Sequence, residues 1–254
     1  MWRPHNPVSD WLTARPIAHR GLHEKAAGIE ENSLEAFAAA ITHGYAIECD
    51  LQLSADGEAM VFHDDTLDRL TTEIGPVIAR TAANLQKITF AKGRGTIPTL
   101  TQLLDLADGD AGLVLELKSH WNGDTRLVAR VASLLAGYDG PVAVMSFDPV
   151  PIAWMADNAP ALLRGIVADG ATDPEYDALP LPVRLGLREF RHADVTRPDF
   201  LSLWREWLPS PVSREARAAG LPIITWTIRD NQQASDALRW CDQITFEGYR
   251  PAHP

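Results

Sequence analysis

Cysteine is nearly missing from this chain: Cys49 and Cys241 are the two in 254 residues. They lie far apart, and neither has a partner at metal-ligand or redox spacing, which fits a reducing compartment. No Lys/Arg cluster offsets the acidic balance of 34 Asp and Glu against 23 Lys and Arg. A net charge of −11 repels phosphate backbones and anionic lipid surfaces, so no nucleic-acid partner is expected. A small anionic substrate is still admissible where a metal and a few basic side chains set the local field. No apolar run approaches membrane-spanning length, and the stretch Met1-Trp2-Arg3-Pro4-His5-Asn6-Pro7 lacks the apolar core of a secretory signal. The expectation is a cytoplasmic protein with no integral membrane association. There is also no low-complexity run, evident linker or short internal repeat, so residues 1–254 read as a single domain.

What is there is a globular composition, with 46% hydrophobic and 22% charged residues, able to bury a sizeable core. Short β-type runs alternate with longer amphipathic stretches. The β-type runs are Pro16-Ile17-Ala18-His19, residues 47–53, 113–117, 142–145, 162–167, 200–204, 222–227 and 243–246. Eight such strands predict an α/β fold of the TIM-type (β/α)8 barrel class. Helices are predicted from Asn32-Ser33-Leu34-Glu35, a capping-box-like start, to a stop at Gly44, and over residues 101–107, 125–135, 212–219 and 231–240. Asp56-Gly57 between two apolar-rich runs predicts a short β-hairpin after strand 2 with a two-residue type I′ turn. Residues 67–98 are too long for a plain βα loop and read as a small insertion over the barrel mouth.

Side chains at i and i+2 of a strand share a face, so Glu48 and Asp50 converge while Cys49 looks away. With the predicted turn, Asp50 faces His63 across the hairpin. Glu116 and Lys118 form a second i, i+2 pair after Leu113-Val114-Leu115. In barrels of this kind chemistry gathers at the C-terminal strand ends, where His19, Glu48, Asp50, Glu116 and Lys118 all fall. Several buried carboxylates cost several kcal/mol unless cations or protons compensate, and Lys118 and Arg20 supply part of that compensation. Each feature also has a plainer reading: Glu-x-Asp on a solvated strand face, His19 as a hydrogen-bonded strand-end residue, Lys118 as a salt-bridge partner of Glu116, Trp226 as core filling. His23, His43, His120 and His192 have no supporting constellation and are read as structural or surface residues.

The ordered set His19-Arg20-Gly21, Glu31-Asn32-Ser33, Ile47-Glu48-Cys49-Asp50, Asp56-Gly57, Val61-Phe62-His63-Asp64, Leu67-Asp68-Arg69 and Glu116-Leu117-Lys118 resembles the glycerophosphodiester phosphodiesterase family. Ile97-Pro98-Thr99-Leu100 and Ser146-Phe147-Asp148 fit the same pattern. The resemblance is dense over residues 16–118 and thinner through Thr225-Trp226-Thr227 to Ile244-Thr245. It implies a TIM-type barrel that hydrolyses glycerophosphodiesters to glycerol 3-phosphate and an alcohol with a divalent cation, Mg²⁺ or Ca²⁺. By the same resemblance Glu48, Asp50 and Glu116 hold the metal, and His19 and His63 are the general acid/base pair. Arg20 and Lys118 neutralise the phosphate, and Trp226 lines the glycerol or leaving-group side. The nucleophile is water or the glycerol 2-hydroxyl.

The chain departs from the family pattern at Glu30, where Pro is usual, at Ser33 for Thr, and at Thr245-Phe246-Glu247 for Thr-Asp. The loop Ser119-His120-Trp121-Asn122 matches no motif, so these departures bear on substrate range more than on chemistry. The insertion is short, which suits a small water-soluble diester. The alternatives are a lysophospholipase D or a specialised sugar-phosphodiester hydrolase on the same site, a metal-dependent barrel isomerase or aldolase, and a non-catalytic binding barrel. Eight tryptophans, Trp204, Trp207 and Trp240 among them, leave homo-oligomerisation open beside ordinary barrel packing.

Overall fold

The computed structural model describes residues 10–172 and 174–252. The stretch Met1–Pro7 discussed above lies outside the described residues. In chain order come α1 (Trp11–Ala14), β1 (Ile17–Ala18), α2 (Leu34–Thr42), β2 (Ala46–Leu53), β3 (Ala59–Val61), α3 (Ala82–Leu85), α4 (Leu100–Ala107), β4 (Leu113–Leu117) and α5 (Arg126–Leu135). There follow β5 (Val142–Ser146), α6 (Pro149–Asn158), β6 (Leu163–Ala168), α7 (Leu181–Arg188), α8 (Ala193–Thr196), β7 (Phe200–Trp204), α9 (Pro211–Ala218), β8 (Ile223–Ile228), α10 (Asn231–Ala237) and β9 (Gln243–Phe246). The strands bond in the order β1-β9-β8-β7-β6-β5-β4-β2-β3, with β1 also paired to β2. With β3 set apart as a hairpin arm, this is the TIM-type (β/α)8 class. Two compact units are distinguishable, Ile17–Ala143 and Val144–Pro254 with the N-terminal residues.

In the first unit β2 is buried along its whole length and lies parallel between β1 and β4, with Asp50 beside Glu116 in the ladder. Strand alternation sends Ile47, Cys49 and Leu51 to one face and Glu48, Asp50 and Gln52 to the other. Ser33 caps α2, its Oγ accepting the Ala36 N–H at 3.1 Å. The cap is thus one residue later than a box closed by Glu35 requires, because Asn32 is used elsewhere, with φ +56° and its amide turned to Asp50. A full capping box opens α4 instead, between Thr99 and Gln102. The α4 residues Leu100, Leu103, Leu104 and Ala107 are buried, each leucine contributing roughly 1.5–3 kcal/mol.

The hairpin corrects the predicted turn and register. Leu51 pairs with Val61 and Leu53 with Ala59, and the Phe62 N–H donates to the Asp50 carbonyl at 3.0 Å, so Asp50 stands opposite Phe62 rather than His63. A type I′ turn needs two left-handed residues. Here Gly57 is left-handed, at φ +85°, and Asp56 is not. The loop therefore spans three residues, with Gly57 N–H donating to Ser54 O at 3.1 Å and Ser54 N–H to Glu58 O at 2.9 Å. The Asp56 carboxylate accepts from Ser54 Oγ and from the Ala82 N–H, which ties the turn to the insertion. The insertion has its own small core, in which Met60 and Phe62 pack with Leu67, Leu70, Val77, Leu85, Phe90 and Ile97.

In the second unit β6, β7, β8 and β9 are parallel neighbours. Helix α6, not predicted above, starts at Pro149 with Pro151 two residues on. A first helical turn tolerates prolines because its N–H groups lack intrahelical partners, and the Asp148 carboxylate caps the Val150 N–H at 2.9 Å. Trp207 stacks on Phe190 and so belongs to internal packing, while Trp240 is 41% exposed. Among the described residues no helix is long and apolar enough to cross a membrane. Cys49 and Cys241 are free and buried, and burial pushes the Cys241 thiol up to about 12 and the Cys49 thiol well above its usual value. Neither is a thiolate at neutral pH, so neither is a candidate nucleophile.

Candidate active site

The first unit gathers the site around β2. The oxygens of Glu48, Asp50 and Glu116 lie within 4.8 Å of one another, and all three residues are buried. Lys118, just past β4, places Nζ 2.8 Å from Asp50 Oδ1 and 2.6 Å from Glu116 Oε1. The Asn32 amide donates to Asp50 Oδ2 at 2.9 Å.

At the end of β1 the backbone turns sharply, with Arg20 at φ +55° and Gly21 at φ +78°. A Cβ on Gly21 would lie 2.9 Å from Ala36 and Phe37 of α2, so this approach of backbone to helix excludes any side chain. The turn aims the Arg20 N–H at Glu48 Oε2, at 3.0 Å, and brings its guanidinium to Asp50 and Glu31. Arg20 Nε is buried and lies 3.3 Å from Asp50 Oδ2, within ion-pair distance but without a hydrogen bond. His19 is nearby, Nε2 at 3.9 Å from Glu48 Oε2. His63, past the end of β3, has Nδ1 2.6 Å from Asp64 Oδ1.

The electrostatics are those of an under-compensated acidic centre. Burial, then the charges of Asp50 and Glu116, raise the Glu48 carboxyl well above its usual value. At Asp50 burial also acts upward, but Lys118, Arg20, His63 and His19 outweigh it and the carboxyl is strongly lowered. At Lys118 burial acts downward and is outweighed by Asp50 and Glu116, which raise the ammonium. Arg20 is shared with Glu31, whose carboxyl is lowered to about 2 as Arg69 and Arg20 overcome burial. Glu48 is thus the carboxylate left in need of a proton or a further cation. Three all-oxygen donors suit a hard divalent cation, for which bound oxygens lie at most about 5 Å apart. The residues present therefore fit the ion that the sequence resemblance implies.

Seven of the eight residues singled out from sequence belong to this unit: His19, Arg20, Glu48, Asp50, His63, Glu116 and Lys118. Trp226 belongs to the other, within β8, where its indole N–H donates to Ser202 O at 3.3 Å and its ring meets Phe147 edge-on at 5.6 Å. Sequence reasoning gave no role to Asn32, Glu31, Asp64 or Arg69, which hold the named groups in place. Their signal was their place in the Glu31-Asn32-Ser33, His63-Asp64 and Leu67-Asp68-Arg69 motifs. A cleft of about 490 Å³ between α4 and α5 is lined by Asp105, Asp108, Tyr138 and Asp139 and has no histidine or basic side chain, so it is not the candidate.

The model of the glycerophosphoryl diester phosphodiesterase family matches residues 19–248. A glycerophosphodiester phosphodiesterase of Bacillus subtilis is 32% identical over 229 residues, 80% of this chain and 73% of its own. One from Caldanaerobacter subterraneus subsp. tengcongensis is 30% identical over 178 residues, 64% of this chain and 70% of its own. A phosphodiesterase of Oleispira antarctica, solved with the product sn-glycerol-3-phosphate, shares the fold at a TM-score of 0.75 and 24% identity, covering 91% of each chain.

Proposed function

Since this chain belongs to the glycerophosphoryl diester phosphodiesterase family and is a phosphoric diester hydrolase, we propose that it hydrolyses small glycerophosphodiesters to glycerol 3-phosphate and an alcohol by metal-dependent histidine acid/base catalysis. The observation that carries this reading is the buried trio Glu48, Asp50 and Glu116 braced by Lys118 in the same unit as the His63–Asp64 pair. The trio would hold Mg²⁺ or Ca²⁺, which when bound supplies Lewis-acid polarisation of a phosphoryl oxygen.

A phosphodiester resists attack because its anionic oxygens repel nucleophiles. The Arg20 guanidinium and the Lys118 ammonium, both beside Asp50, answer that charge where water is largely excluded. The short contact of His63 Nδ1 to the Asp64 carboxylate fixes the tautomer that donates from Nδ1. The lone pair then sits on Nε2, the atom that takes or returns a proton. His19 is the second member of the pair, and each transfer is worth about 10²–10⁴ in rate. Trp226 is assigned the glycerol or leaving-group side, and Trp226→Ala should raise KM more than it lowers kcat.

The test is release of glycerol 3-phosphate from glycerophosphocholine and glycerophosphoethanolamine by metal-stripped protein, with and without added Mg²⁺ or Ca²⁺. Release that needs the cation and disappears in His19→Ala and Glu48→Ala supports the reading. No release with any cation rejects it, and equal turnover of a micellar lysophospholipid rejects the preference for small diesters in favour of lysophospholipase D action. The same reading places the protein in the cytoplasm, in keeping with two buried unpaired cysteines, and cell fractionation tests this. It also admits self-association through the surface around Trp240, and light scattering that returns the monomer mass rejects it.

A further inference from the structure

Two carboxylates beside the site, Glu31 and Asp64, are gripped by a single side chain. Arg69 Nε donates to Asp64 Oδ2 at 2.6 Å and Nη2 to Asp64 Oδ1 at 2.8 Å. The same guanidinium donates to Glu31, Nη2 to Oε1 at 2.7 Å and Nη1 to Oε2 at 3.1 Å. Beyond these carboxylates stand the functional groups. Asp64 Oδ1 is 2.6 Å from His63 Nδ1, and Glu31 Oε1 accepts from Arg20 Nη1 at 2.6 Å. An unbroken series of charge-assisted hydrogen bonds thus runs His63, Asp64, Arg69, Glu31, Arg20. The backbone carrying Arg69 is anchored by Leu67 and Leu70, both buried in the insertion's own core. Only a planar fork of five donors can grip two carboxylates in this manner, and an ammonium cannot.

We propose that Arg69 is a positioning residue for this reaction, its guanidinium setting the His63 imidazole through Asp64 and the Arg20 guanidinium through Glu31 at the same time. The insertion thereby contributes to the chemistry. Proton transfer and phosphate binding are locked to one side chain whose guanidinium donates to Asp64 and Glu31. The proposal rests on the assignment of His63 and Arg20 made above.

The experiment compares Arg69→Ala and Arg69→Lys with the parent by steady-state kinetics on glycerophosphocholine and by ¹H–¹⁵N spectra of the histidine side chains, the His63 signal being identified by its loss in His63→Gln. Arg80→Ala, which removes an exposed ion pair with Glu73 in the same insertion, is the control. The alanine variant should lose about 10–100-fold in kcat, as supporting groups around a metal site do, and raise KM as well. Millimolar guanidinium should restore part of the loss, since the Arg69 side chain is 43% exposed and its place is open to solvent. The lysine variant should recover little, the His63 resonance should shift in both, and the control should match the parent. An alanine variant within about twofold of the parent, or one that guanidinium does not help and whose His63 signal stays put, overturns the tether. Should the alanine variant fail to fold, the lysine variant decides by the same two readouts. A parent inactive on every diester removes the diesterase reading and leaves the His63 spectra to decide the tether.

Discussion

Lys118→Met probes the charge balance of the site directly. The ammonium sits 2.8 Å from Asp50 and 2.6 Å from Glu116, both buried, and removing it leaves two carboxylates facing each other and Glu48 with Arg20 as the remaining cation. Breaking a buried pair by deleting one partner costs about 3–5 kcal/mol, and the low end applies because the Lys118 side chain keeps 18% exposure and water can reach it. About 3 kcal/mol corresponds to a fall of roughly 6–12 °C in melting temperature for a chain of this size. The pH dependence has a definite sign. Lys118 is raised, so its contribution is complete below its usual 10.5 and lost only on the alkaline side. Asp50 is lowered in the parent, so its contribution is present above its usual 3.8 and lost as acid protonates it. Without Lys118 the downward pull on Asp50 against burial weakens, and the variant would take up a proton at a higher pH than the parent. The difference between variant and parent should therefore be largest near neutrality and shrink on acidification. Thermal melts of metal-stripped protein across the acidic range test this. A difference under about 1 kcal/mol at neutral pH, or one that widens in acid, refutes the charge balance described here.

Further outcomes follow from the same geometry. Gly21→Ala should cost about 2–4 kcal/mol in urea unfolding, from about 1 kcal/mol of left-handed backbone strain and 1–3 of overpacking against α2, and should cut activity by displacing Arg20. Saturating Mg²⁺ or Ca²⁺, at about 100 times its dissociation constant, should stabilise the parent by about 2.7 kcal/mol and leave Glu48→Gln unmoved, as read by melting temperature. His63→Ala should lower kcat by about 10²–10⁴ with the melting temperature nearly unchanged, because the His63 side chain is partly exposed. The reading of residues 1–254 as one domain predicts a single calorimetric transition whose calorimetric and van't Hoff enthalpies agree, and two separated transitions would reject it.

Much of this protein was legible locally. Alternating β-type and amphipathic runs located the eight barrel strands and five of the helices, because hydrophobic period and cap chemistry are properties of neighbouring residues. The period of two likewise placed Glu48 and Asp50 on one face of β2. The hairpin register was not legible, since it turned on whether Asp56 would adopt a left-handed backbone, and Ser54 and Ala82 settled its conformation through hydrogen bonds to its carboxylate. A one-residue change of register moved the partner of Asp50 from His63 to Phe62.

The sequence by itself determined the order of the elements, the identity of the ligand-type side chains and the sharing of a strand face by Glu48 and Asp50. Only the tertiary structure decided that Glu116 lies beside Asp50 in the ladder, that Lys118 braces both, and that Arg69 reaches back 38 residues to Glu31. The physical reason is that burial and charge pairing are set by distances in space. Burial acts upward on both carboxyls, yet Asp50 is lowered and Glu48, two residues away on one strand, is raised, because the fold places an ammonium against the first while the charges of Asp50 and Glu116 add to burial at the second.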